Sequence, residues 1–138
     1  MGQRRRARER ALQMLFQLDL AGGRPEEMFD AFWEGQETDA DGRAFAERLV
    51  NGVVAEKARL DRTIAAAAEN WRVERMAVVD RNVLRLAVYE LLDEPETPPA
   101  VVLDEAIEIA KRFGSEQSGG FINGVLDAVR RRIERGEA

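Results

Sequence analysis

Cysteine and histidine are both missing from the 138 residues, and tyrosine occurs once. Without cysteine there are no disulfides, thiolate zinc sites or cysteine nucleophiles. Without histidine, a Ser-His triad, imidazole metal ligation and histidine acid/base relays are all excluded. Long apolar runs are also lacking: the stretch that follows the first arginines is broken by Gln13, Gln17 and Asp19, so it suits neither a secretory signal nor a membrane span. A cytoplasmic protein with no membrane association is the expectation. Strand signals are nearly absent, and Gly and Pro divide the chain into segments of helix length.

The charge that is present is unevenly placed. Residues 1–10 hold five arginines against Glu9, a net +4, in a chain of formal charge −5, which leaves −9 for the rest. A basic end on an acidic body suggests an anionic partner. Guanidinium forks match phosphate bidentately and stack on bases, so nucleic acid is the natural candidate. The bland reading of the run alone is a solvated terminus. However, it passes into Ala7, Ala11, Met14, Leu15 and Leu18 at helical spacing, which mounts the arginines on a folded helix. At about 100° per residue, Arg6, Arg10, Gln13 and Gln17 then form one polar strip opposite the apolar stripe. Phe16 sits off the apolar centre, where it either stacks on a base or packs at the core edge.

The periodicity predicts an all-α chain long enough for a core without a metal or disulfide staple. The first helix ends at Gly22-Gly23, and Pro25 opens a short second helix carrying Met28, Phe29, Phe32 and Trp33. Phe45, Leu49 and Val53 mark a third; Leu60, Ile64, Ala67 and Ala68 mark its continuation or a fourth, with a boundary near Ala58. A connector with Trp71, Val73 and Met76 leads to a helix that buries Val83, Leu84, Ala87, Val88 and Leu91 and stops at Pro95. Pro98 and Pro99 open the next helix, with Leu103, Ala106, Ile107, Ala110 and Phe113 inside, and Gly114 closes it. The last runs from about Ser118. Leu49-Val50-Asn51-Gly52-Val53-Val54 echoes Phe121-Ile122-Asn123-Gly124-Val125-Leu126; each glycine reads as a close helix crossing, which fits two similar halves with a boundary at roughly 70–78 in a single domain spanning 1–138.

Catalysis has no candidate. Asp104, Glu105 and Glu108 are followed by Lys111 and Arg112 at contact spacing, so they read as a solvated, ion-paired face rather than a metal or acid/base cluster. No Walker-type loop exists, and Gly119-Gly120 is too little for a nucleotide fingerprint. Neither cofactor nor metal is expected. The two glycines leave backbone exposed at a helix start beside Phe121, which suits close approach of a nucleic-acid strand and simple capping equally. If its helix is already running at Asp80, the side chain points into the apolar stripe, where an unpaired carboxylate is costly; it therefore either caps the helix start or meets a partner.

Taken together, Arg4 to Arg10 with its helix, Val79-Asp80-Arg81-Asn82-Val83-Leu84-Arg85-Leu86-Ala87-Val88-Tyr89-Glu90-Leu91, and Asp104 to Gly114 closed by Phe121-Ile122-Asn123-Gly124-Val125-Leu126-Asp127 resemble the NusB family of bacterial transcription antitermination factors. The resemblance covers essentially the whole chain. It implies two packed three-helix bundles joined by a connecting helix, and pairing with the ribosomal protein NusE to bind boxA RNA and join RNA polymerase in an antitermination complex, chiefly on ribosomal RNA operons. By position, Arg4, Arg5, Arg6, Arg8 and Arg10 match the arginine-rich motif, and Phe16, Arg85, Gln117 and Phe121 fall at or beside positions that face RNA. Asp80 falls where the family places an acidic contact to NusE. Gly120 stands where a basic residue often precedes the aromatic, and Gln117 where an acidic one occurs. The expected mode is single-stranded, with arginines on phosphates and Phe16 and Phe121 stacked on unpaired bases. Some members self-associate and hide the arginine face, which leaves a homodimer open. Two rivals stand beside this reading: the NusB-like module of the kind fused to RNA cytosine methyltransferases, which would be expected to come with a catalytic domain, and a helical protein-binding adaptor whose arginines only solubilise.

Overall fold

Glycine and proline set the helix limits. Gly22 and Gly23 adopt φ of +74° and +94°, a left-handed turn that residues with a Cβ rarely make, and they end α1 (Gln3–Ala21). Pro25 begins α2 (Pro25–Trp33), where Glu27 reaches back to the Arg24 amide at 2.9 Å. Asp39 caps α3 (Ala40–Ala55) by accepting from the Gly42 amide at 2.6 Å. The chain breaks at Glu56 and restarts as α4 (Lys57–Ala67), so the segment after α3 is a separate helix that begins just before Ala58. A 3₁₀ turn (Val73–Arg75) precedes α5 (Val78–Asp93), and α6 (Pro99–Phe113) and α7 (Ser118–Glu134) follow. The computed structural model describes residues 2–137, and among these no strand occurs. No helix among the described residues is long and apolar enough to cross a membrane.

The helices fall into two groups that share α5. On one side α1, α2 and α3 pack together; on the other α6 and α7 pack on each other, with α4 laid across α5 and α7. Helix α5 touches α1, α3, α4, α6 and α7, and its central position explains why its burial exceeds a single stripe. Val83, Leu84, Leu86, Ala87 and Val88 are buried, but so are Asn82, Arg85 and Glu90; Leu91, expected inside, is only partly covered. Polar groups tolerate such a place only when paired, and each of these is. In α6 the buried stripe is rotated from the expected one: Val102 and Ile109 are inside, while Ile107 is partly exposed.

The two Asn-Gly echoes diverge. A Cβ on Gly52 would overlap the Tyr89 ring, so α3 and α5 do cross closely there. Gly124 has open space around it, which corrects the expectation of a second crossing: α7 turns Asn123 and Gly124 to solvent and buries Ile122, Val125 and Leu126 instead.

Candidate nucleic-acid interface

Five arginines on one helix cannot all face the same way, and the fold sorts them. Arg4 lies over the Phe45 ring, 3.9 Å from its centroid. Arg5 clamps Glu105 of α6, and this hydrogen-bonded pairing holds the Glu105 carboxyl below the usual carboxylate range. Arg8 is 4% exposed and donates through Nε and Nη2 to both Glu90 carboxylate oxygens at 2.8 Å, with Glu105 at 3.6 Å from Nη1. Arg6 is exposed, Arg10 is partly so, and neither has a carboxylate in ion-pair range among the described residues. Both line a small hollow with Gln3, Glu37, Thr38, Asp39 and Gly42 between α1 and the start of α3. Glu9 is also buried and accepts from Arg112 at 3.0 Å.

Farther along the same face, Gln13, Phe16 and Gln17 border an open groove of about 760 Å³. Phe32 of α2 and Phe113 of α6 supply further aromatic walls. Phe113, expected inside, packs against the core but is only partly buried, with the Arg112 guanidinium 5.2 Å from its ring. Its position at the last turn of α6, just before Gly114, is the signal that could have marked it, since a helix end faces solvent more readily than a helix middle.

A clasp joins α5 to α7 beside this groove. Ser118 donates from Oγ to Asp80 Oδ1 at 2.7 Å and accepts from the Ser115 amide at 2.9 Å. Asp80 is therefore the third residue of its helix rather than the cap, which is Ala77, and its partner lies within the chain. Gln117 precedes α7 and is exposed, as is Gly120, where a Cβ would meet nothing. Gly119 is buried against the Lys111 stem, so of the two glycines only Gly120 offers open backbone. Phe121 is half-buried and meets Trp71 edge to face, with centroids 5.4 Å apart.

Arg85, expected at an RNA-facing position, is instead 5% exposed. It donates to Asp61 from Nε at 2.8 Å and Nη2 at 3.1 Å, and from Nη1 to Asp19 at 3.1 Å. Asp19 also receives Arg81 at 2.8 and 2.9 Å and the Asn82 amide at 2.8 Å. Hydrogen bonding from Arg81 dominates and holds the Asp19 carboxyl at about 2, against the opposing effect of burial. Arg8 and Arg85 thus serve the fold, because pulling either guanidinium out would strand a buried carboxylate. The acidic face of α6 is likewise engaged at long range: Glu105 serves Arg5 and Arg8 rather than only its helix neighbours. Among the described residues no cluster suited to a metal occurs.

Solved structures define the class. The crystal structure of antitermination factors NusB and NusE in complex with dsRNA contains a chain that superposes with a TM-score of 0.86 at 31% identity, covering 95% of this chain and 98% of that one. The T. maritima NusB structure gives 0.83 at 40% identity over 98% and 97%. This is the all-helical NusB fold. The NusB family profile matches residues 5–131, and a transcription antitermination protein NusB from Sorangium cellulosum is 50% identical over 98% of this chain and 96% of its own. The chain belongs to the NusB family.

Proposed function

We propose that this chain acts as a transcription antitermination factor that binds boxA RNA together with NusE and joins the elongating RNA polymerase, in the cytoplasm and without catalysing a reaction. The observation that carries this reading is the pair Arg6 and Arg10: on a helix whose other arginines serve internal partners, these two stay uncommitted on the outer face. Phosphates would position the strand there, and the groove between Phe16 and Phe113 would accept unpaired bases, with Phe121, Gln117 and the open backbone at Gly120 continuing the track. Asp80 keeps its second carboxylate oxygen for NusE while the Ser118 bond fixes its rotamer. The NusB relative in complex with NusE and dsRNA supports both partners.

The test is a titration of labelled boxA RNA, with and without NusE, across salt concentrations. Each phosphate that is no longer neutralised should reduce the log-log salt slope by about 0.7 for a single strand, so Arg6→Ala/Arg10→Ala should flatten it by about 1.4. An unchanged slope removes the terminus from the RNA site. Competition by single-stranded against duplexed boxA distinguishes the two RNA forms, and NusE binding without any RNA affinity would favour the adaptor reading.

A further inference from the structure

Beyond the groove and the clasp lies a second open cleft, about 820 Å³, between α4 and the connector that leads into α5. Trp71 stands on its rim 58% exposed, the edge partner of Phe121. Its indole touches Phe121 and leaves most of its surface in water, while the core takes Val73 and Met76 from the same connector. The floor is neutralised and rigid, because Asp19 and Asp61 are bound by Arg81 and Arg85. On the rim, Lys57, Arg62 and Arg72 are exposed with no ion pair among the described residues, against Glu69 and Glu74 on the same border.

We infer that this cleft is a second landing site for single-stranded RNA, in which a nucleotide beyond those held at Phe121 stacks on the Trp71 indole and its flanking phosphates meet Arg62 and Arg72. The Trp71–Phe121 contact places the indole directly beside the Phe121 ring, so a strand leaving Phe121 passes Trp71 next, and cations beside an aromatic are the arrangement that tracks a strand without reading its sequence. The slight charge surplus of the rim argues for a short extension rather than an independent site. The inference rests on the RNA-binding reading above and lengthens its footprint.

The test uses the full chain with saturating NusE and two labelled RNAs, one of boxA length and one extended at both ends by several unstructured nucleotides. The extended RNA should bind more tightly. Trp71→Leu should weaken it about ten-fold more than it weakens the short RNA, within the range for removal of one stacked base. Arg62→Gln/Arg72→Gln, on exposed side chains, should flatten the salt slope of the extended RNA alone by about 1.4. Equal affinity for both RNAs, equal weakening of both, or variants that weaken only NusE binding would overturn the cleft while short-RNA binding that depends on Arg6 and Arg10 leaves the broader reading standing. If neither RNA binds the native complex, both fail.

Discussion

Arg6 and Arg8 differ by two positions and by nearly everything else. Arg8 is enclosed and forked onto Glu90 at 2.8 Å; Arg6 is open to solvent. Removing one member of a buried pair leaves an uncompensated charge, so Arg8→Ala should cost about 3–5 kcal/mol, whereas Arg6→Ala should stay within about 0.5 kcal/mol. Urea denaturation of the two variants checks this, and equal effects would mean that Arg8 is not structural. The linear sequence does not separate them, because the helical period places Arg8 near the buried side without revealing that Glu90, 82 residues away, waits there. Asp19 supplies a pH signature of the same kind. Its carboxyl is held at about 2 against an ordinary 3.8, so its contribution is fully present above about pH 4 and is lost as pH falls through 2. Between pH 5 and 2 the stability gap between the native chain and Asp19→Asn should narrow by about 2 kcal/mol; a constant gap would remove the Arg81 pairing as its cause.

Among the helices, α3 and α7 carry the same apolar-Asn-Gly-apolar pattern and use it differently. Gly124 sits in open space inside α7, so Gly124→Ala should stabilise by about 0.5–1 kcal/mol through helix propensity. Gly52→Ala should destabilise by about 1–3 kcal/mol, because the Tyr89 ring must leave its packing. Thermal melts of both variants, with opposite shifts in Tm, are the expected outcome. Helix existence and most boundaries were legible from the sequence, since Gly22-Gly23, Pro25, Pro99 and Gly114 act locally on backbone angles. The facing of α5 and α6 was less so: a helix packed on five neighbours buries polar residues that period alone assigns outward. The candidate interface was legible in part. Arg6, Arg10 and Phe16 follow from the wheel of α1 and remain accessible, while Trp71 and Phe113 gain their significance only from neighbours that the chain brings to them.

For the molecule as a whole, α5 is the shared member of both helix groups, and the bridges Arg8–Glu90, Arg5–Glu105 and Arg112–Glu9 fasten α1 to α5 and α6. Such coupling predicts one cooperative unfolding transition. Helical circular dichroism and tryptophan fluorescence, reporting α2 through buried Trp33 and the connector through Trp71, should give superimposable urea curves; separated midpoints would show that the halves unfold independently. The same bridges give the opening helix its rigidity, which allows Arg6 and Arg10 to present their charge from fixed positions rather than from a frayed end.

Local chemistry alone determined the all-helical character, the helix stops, the lack of histidine- and cysteine-based chemistry, and the concentration of positive charge at one end, because each depends on residue type and short spacing. Tertiary structure decided which arginines are free, which aromatics face water, and which carboxylates are engaged. Those outcomes depend on pairs separated by 24 to 103 residues, such as Arg85 with Asp61 and Arg112 with Glu9, and a pairing at that range exists only once the core has closed.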